Sequence, residues 1–181
     1  TARERLGWLA THETTGELPA AWTVFVDAMR AEARHASEAE GVEALGRGVA
    51  QVASECGSCH GSIGAGPQHG EEPSAAEGDT TRDHMIRHHE ASEQMWKGLI
   101  SGDDRRWLAG ASALADMEPL QELTHPTSDG IPEASRALGM KVHELGREGL
   151  GQMDRIAKAN LYGELIGTCA LCHDVARASP E

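Results

Sequence analysis

The 181-residue chain has few aromatic side chains, which make up only 3% of its residues. Its hydrophobic fraction of 39% is also modest, and 21 of its residues are glycines. Such a composition supplies little of the large, rigid material that excludes water from a protein core. We therefore expect something other than the chain's own side chains to supplement the core.

Positive charge is scarce too, because 16 Lys and Arg residues stand against 29 Asp and Glu residues, for a net charge of −13. A protein built to hold nucleic acid or an anionic membrane surface needs the opposite balance. A protein partner with a basic docking surface is favoured instead. No apolar run comes near the roughly 20 residues that cross a bilayer, so we expect no membrane span.

Only four cysteines occur, and all of them belong to two Cys-x-x-Cys-His motifs, Cys56–His60 and Cys169–His173. The first cysteines of the two motifs, at positions 56 and 169, are 113 residues apart. The same offset relates two further pairs, Pro19 with Pro132 and His12 with His125. Because a shared offset indicates an internal repeat, we interpret 11–61 and 124–174 as two copies of one unit.

Each copy is predicted to form two helices. Its apolar residues recur at helical spacing, and Pro19 and Pro132 suit a first helical turn, where a missing N–H costs nothing. A glycine break separates the two helices of each copy. Both cysteine motifs then fall at the C-terminal end of a helix.

Two further helices are predicted between the copies. The first begins after Thr80, whose spacing to Asp83 fits a capping box, and ends at Gly102. The second is capped by Asp103 or Asp104.

The predicted fold is therefore all-α, with tandem helical-bundle units that each end in a Cys-x-x-Cys-His motif. Residues 1–61 form a truncated N-terminal unit, 62–82 a linker and 83–181 a four-helix bundle. The linker is rich in Gly, Ser, Pro and acidic residues. The N-terminal unit is called truncated because only a short stub precedes its helix pair.

The Cys-x-x-Cys-His sequence is the attachment signature of c-type haem. Its two thiols reach the two vinyl groups of one porphyrin, and the adjacent histidine can supply an axial nitrogen to the iron. A zinc site of four cysteines usually separates its two pairs by about 15–20 residues, whereas these pairs are 113 residues apart. A thioredoxin-type redox pair lies at the start of a helix that follows a strand, whereas these pairs are predicted at the ends of helices. Both alternatives are therefore disfavoured. The sequence therefore predicts two covalently attached haems, held by the following residues: Cys56, Cys59 and His60 for the first, and Cys169, Cys172 and His173 for the second.

With four predicted helices and a haem motif at the end of the last one, residues 83–174 resemble the class II cytochromes c, the cytochrome c′ and c556 type. Arg177, four residues beyond His173, matches the usual basic residue of that family, whereas Ala176 stands where an aromatic is common. The resemblance implies an antiparallel bundle with the haem near one end and His173 as the proximal ligand. It also implies a sixth ligand, or an open site, offered by the first helix of the bundle.

In an antiparallel bundle, the end of the last helix lies beside the start of the first, which here carries three histidines and a methionine: His84, Met85, His88 and His89. At about 100° per residue, His88 lies nearest the apolar stripe of that helix. The stripe consists of Met85, Met95, Trp96 and Leu99. We predict His88 as the distal ligand of the second haem, with Met85 as the alternative.

The first haem has no leading helix of its own in this sequence. Its distal ligand must come from His12, from His89 reaching across, from another chain or from residues outside those given. The remaining histidines, His35, His69 and His143, are interpreted as solvated surface residues.

Two haems in a small acidic chain suit one-electron transfer between protein partners, and the chain carries no Ser/His/Asp set or Gly-rich phosphate loop. We therefore predict a soluble electron carrier rather than an enzyme. The alternative is cytochrome c′-like binding of NO, CO, O2 or peroxide at a haem with an open sixth position. A homo-oligomer or a multihaem complex is a further possibility, and covalent haem attachment favours a periplasmic location, with an export signal outside the given residues.

Overall fold

Helices account for all the regular structure in the part of the chain that the computed structural model describes, which is residues 1–11, 17–70, 78, 80–117 and 133–178. The helices in these ranges are α1 (Ala2–Thr11), α2 (Ala20–Glu38), α3 (Val42–Ile63), α4 (Thr81–Ser101), α5 (Asp104–Asp116), α6 (Glu133–Leu150) and α7 (Arg155–Ala178). The predicted all-α class is confirmed for these residues. Pro132 and His125, two landmarks of the repeat, lie outside them.

The predicted ends of α4 are confirmed in detail. The Thr80 hydroxyl oxygen accepts a hydrogen bond from the Asp83 N–H at 3.2 Å, and the Asp83 carboxylate accepts one from the Thr80 N–H at 3.3 Å. Gly102 ends the helix in the left-handed region at φ 73°. Of the two candidate caps for α5, Asp103 fills the position, because its carboxylate accepts from the Arg105 N–H at 3.0 Å.

Five helices, α3 to α7, form a closed ring in which each packs against the next and α7 packs against α3. α3 and α7 run antiparallel, since Gln51 Nε2 donates to Asn160 Oδ1 at 2.8 Å while Gly57 lies beside Arg155. α3 and α4 run parallel, because Gly57 also lies beside Leu99. α2 packs on the outside of α3, and α1 packs on α2.

The bundle has two ends, called here the first end and the second end. The first end holds the C-terminal turns of α3 and α4 together with the start of α7. The second end holds the start of α4 and of α6 together with the C-terminal turns of α5 and α7.

Two hydrophobic clusters share α3. Its residues Ala50 and Ala53 join the inner core, whose other fully or nearly buried members come from α4 to α7 and include Met95, Trp107 and Leu165. Val52, on another face of α3, joins a smaller cluster with residues of α1 and α2. The helix that ends in the first cysteine motif thus contributes to the same core as the four helices of 83–181.

Glycines let the backbones of α3 and α7 approach closely. A Cβ built on Gly46 would lie 2.9 Å from the carbonyl oxygen of Gly163, and one on Gly163 would lie 2.5 Å from the Cα of Arg47. Both distances are shorter than a side-chain carbon tolerates, so only glycine fits without a shift of backbone. Close packing of the helix backbones at these glycines therefore compensates for the small number of large side chains.

No helix in the described ranges combines the length and the apolar character required to cross a membrane.

We expect Gly163→Ala to lower the free energy of unfolding by about 1–3 kcal/mol, because the new methyl group meets backbone atoms of α3. Chemical denaturation followed by circular dichroism measures the change. Gly61→Ala is the matched control, because a Cβ there has its nearest neighbour at 3.7 Å, and it should be neutral or stabilising by up to about 1 kcal/mol. Equal effects of the two substitutions would contradict the close approach.

Candidate functional site

The two cysteine motifs lie at opposite ends of the bundle. Cys56–His60 occupies the last turns of α3 at the first end, where Gly57 touches the start of α7 near Arg155. Cys169–His173 occupies the C-terminal part of α7 at the second end. Cys169 comes fourteen positions after Arg155 on α7, which places the motifs about 21 Å apart along the bundle axis.

All four cysteines are half-buried free thiols. Burial, followed by the nearby Cys59, raises the pKa of Cys56. Burial, followed by Cys172, raises the pKa of Cys169 to about 11, and burial also raises the pKa of Cys172, whose sulfur lies 3.8 Å from the carbonyl oxygen of Ser135. Because burial disfavours the thiolate, Cys56, Cys169 and Cys172 are neutral thiols near neutral pH.

His60 is held by the last turn of α4. Its Nδ1 lies 2.6 Å from the carbonyl oxygen of Ile100. Since a carbonyl oxygen only accepts, Nδ1 carries the proton and donates it, which leaves the lone pair of Nε2 available. This is the arrangement in which a metal-ligating histidine is commonly oriented by its outer partner.

His173 is exposed and is not held through its ring in the same way. Its backbone carbonyl oxygen accepts from Arg177 Nε at 3.2 Å, and Arg177 also pairs with Asp174 at 2.7 Å. The basic residue that supports the family resemblance therefore contacts the backbone of the predicted proximal histidine. The imidazole of His173 remains accessible from solvent.

Three histidines meet at the second end of the bundle, two from α4 and one from α6. The ring centroids lie 4.3 Å apart for His84 and His88, 5.0 Å for His88 and His143, and 5.7 Å for His84 and His143. One nitrogen of each ring lies within 4.8 Å of the other two. Their exposed fractions are 1%, 9% and 0% for His84, His88 and His143, so two of the rings are fully buried and His88 is largely buried.

The protonation of this cluster follows from its surroundings. His143 Nδ1 lies 2.9 Å from the carbonyl oxygen of Leu114, so it donates its proton there and leaves Nε2 with a lone pair. The Nε2 atoms of His88 and His143 are buried without a hydrogen-bond partner among the described residues. Burial, then the neighbouring His84 and His143, lower the pKa of His88 to about 3, which makes it neutral at physiological pH.

The predicted distal ligands are placed differently from one another. His88 is buried as the apolar stripe suggested, and Met85 is half-buried. His89 projects to the surface with 71% of its side chain exposed, and its Nε2 lies 3.8 Å from a carboxylate oxygen of Glu93. His12 lies outside the described residues.

The interpretation of His143 as a solvated residue was wrong, since it is fully buried against α4. His84 was not selected because the stripe direction was taken from Met85, Met95, Trp96 and Leu99, and two of these, Met85 and Trp96, are only half-buried. The buried face of α4 is instead formed by His84, His88, Ala91, Met95, Gly98 and Leu99. The signal that could have found the pair is the spacing of His84 and His88, which puts both on one helix face.

Comparison with protein-family models, with curated proteins and with solved structures gives no match to this chain. The likeness to class II cytochromes c rests on the motifs and helix order described above.

We expect Thr80→Ala to lower the free energy of unfolding by about 1 kcal/mol, because it removes the cap of the helix that carries His84 and His88. The midpoint of urea denaturation measures the change. Thr81→Ala, one residue further along and exposed, is the control and should change the midpoint little. A result in which Thr81→Ala is the more damaging substitution would contradict the capping box.

Proposed function

We propose that this chain is a dihaem c-type cytochrome that passes single electrons between protein partners. The observation that carries the proposal is the use of cysteine. All four thiols are free, and each belongs to a Cys-x-x-Cys-His motif in the last turns of a long helix. Cys-x-x-Cys followed by His is the sequence at which c-type haem is attached, and here it uses every cysteine of the chain.

The residues at the first end fit a covalently attached haem. Cys56 and Cys59 lie one helical turn apart on α3, with His60 immediately after them. The hydrogen bond from His60 to Ile100 fixes the ring and leaves Nε2 for iron. When bound, the haem supplies the one-electron iron couple, whose potential depends on axial ligands and on burial.

The residues at the second end also fit. Cys169 and Cys172 repeat the same spacing on α7, and His173 follows with an accessible ring. The start of α4 lies at this end and offers two candidates for the sixth position of the second iron, His88 and Met85. Thioether ligation raises the potential relative to ligation by two imidazoles, so the choice would shift the potential of the second haem.

The remaining features of the proposal follow from the sequence. We propose that 1–61 and 83–181 are tandem haem units joined by 62–82. A net charge of −13 favours redox partners with basic docking surfaces, since opposite charges accelerate encounter. Attachment of c-type haem places the protein in the periplasm.

The test is to express the chain with a periplasmic export signal in a bacterium that attaches c-type haem. We expect two covalent haems per chain, counted from the optical spectrum after denaturation and from the intact mass. Cys56→Ala with Cys59→Ala should leave one haem, and so should Cys169→Ala with Cys172→Ala. A wild-type chain that is folded, exported and free of haem would contradict the proposal.

A second measurement separates electron transfer from gas binding. A carrier with both iron positions filled should titrate in two reversible one-electron steps and should not bind CO when reduced. Rapid CO binding by one reduced haem would favour the cytochrome c′-like alternative at that haem. Both measurements use the same purified holoprotein.

A further inference from the structure

We propose that His84, His88 and His143 form a three-nitrogen site for one divalent transition-metal ion, of which Zn²⁺ is the best match. The site is separate from the two haem irons of the proposed function and does not depend on them. It joins α4 to α6 inside the second end of the bundle.

The first observation that supports the site is that the three histidine rings converge. One nitrogen from each ring lies within 4.8 Å of the other two, although the rings come from two different helices. Nitrogens bound to one tetrahedral Zn²⁺ at about 2.0–2.1 Å would lie roughly 3.3 Å apart. Binding of the ion therefore requires the three nitrogens to move closer together than they lie in this structure.

The second observation is that two buried ring nitrogens of the cluster make no hydrogen bond to the described residues. The Nε2 atoms of His88 and His143 are buried with no hydrogen-bond partner in the described ranges. A buried polar atom without a partner is costly, so a cluster of this kind indicates a group that completes it. Packing of the rings as ordinary core would leave both atoms unsatisfied.

The third observation is that a backbone carbonyl oxygen outside the cluster orients the ring of His143. His143 Nδ1 donates to the carbonyl oxygen of Leu114 at 2.9 Å, which fixes the tautomer that presents the Nε2 lone pair to α4. His84 and His88 are one turn apart on α4, as two ligands from a single helix must be. Ligating histidines are usually supported in this manner by an outer carbonyl.

The donor set selects the metal. Three neutral imidazoles suit Zn²⁺, Cu²⁺ and Ni²⁺, whereas Ca²⁺ and Mg²⁺ require oxygen ligands. Zn²⁺ accepts the tetrahedral arrangement of a buried site and needs no redox partner. An axial haem ligand, by contrast, requires one imidazole and gives no reason for three to meet.

This assignment has a consequence for the second haem. If His88 is engaged with a separate ion, it is not the sixth ligand of that iron, and Met85 is the remaining candidate on α4. Zn²⁺ binding therefore tests the metal site, and the optical spectrum of the second haem tests its sixth ligand. Both are measured on the same protein.

The test uses the purified holoprotein. After treatment with a chelator and dialysis, Zn²⁺ binding is measured by calorimetry and by elemental analysis, and we expect one Zn²⁺ per chain. X-ray absorption at the zinc edge of the wild-type protein should show at least three nitrogen ligands of the imidazole type at about 2.0–2.1 Å. This measurement needs no variant and so does not depend on whether a variant folds.

His143→Ala should weaken Zn²⁺ binding by more than about 100-fold, because loss of a ligand exceeds the 10–100-fold effect of losing an outer partner. His89→Ala is the matched control, since His89 neighbours His88 but faces solvent, and its affinity should equal that of wild type. Haem content and the optical spectrum of the second haem should be the same in all three proteins. Absence of saturable Zn²⁺ binding, or affinity that survives His143→Ala, would overturn the proposal.

The proposed function can fail separately. A chain without haem that binds one Zn²⁺ through these histidines would refute the cytochrome assignment and support the metal site. A dihaem protein in which His88→Ala removes the low-spin spectrum of the second haem, and which takes up no Zn²⁺, would do the reverse.

Discussion

The close approach of α3 to α7 is the contact on which the rest of the bundle depends. Because Gly46 and Gly163 have no Cβ, the backbones of α3 and α7 pack directly against each other. α3 also packs against α4, which completes the ring of five helices. Once seated, α3 contributes Ala50 and Ala53 to the inner core and leaves another face for α1 and α2. A chain with few aromatics can exclude water in this way, because short helix separations need little side-chain volume to reach interior density.

The same contact fixes where the two cysteine motifs lie. Both motifs occur at the ends of their helices, and α3 and α7 run antiparallel, so the motifs must occupy opposite ends of the bundle. The first motif contacts the C-terminal end of α4, whereas the second lies at the end of the bundle where α4 begins.

Local features of the fold could be predicted from the sequence, whereas the histidine cluster could not. The start of α4 follows from Thr80 and Asp83, whose side chains act within a single turn. Which face of α4 is buried depends on the helices that pack against it. A search for apolar periodicity treats histidine as polar, so it misses a histidine that a neighbouring helix buries. His143 shows the limit most clearly, because its burial requires α4 and the Leu114 carbonyl, both far away in the sequence.

α4 runs between the two ends of the bundle. Its second turn presents His88 to the histidine cluster, and its last turn presents the Ile100 carbonyl oxygen to the ring of His60, about 18 Å further along the axis. Because one helix carries both His88 and the Ile100 carbonyl oxygen, α4 fixes the distance between the histidine cluster and the group that orients His60.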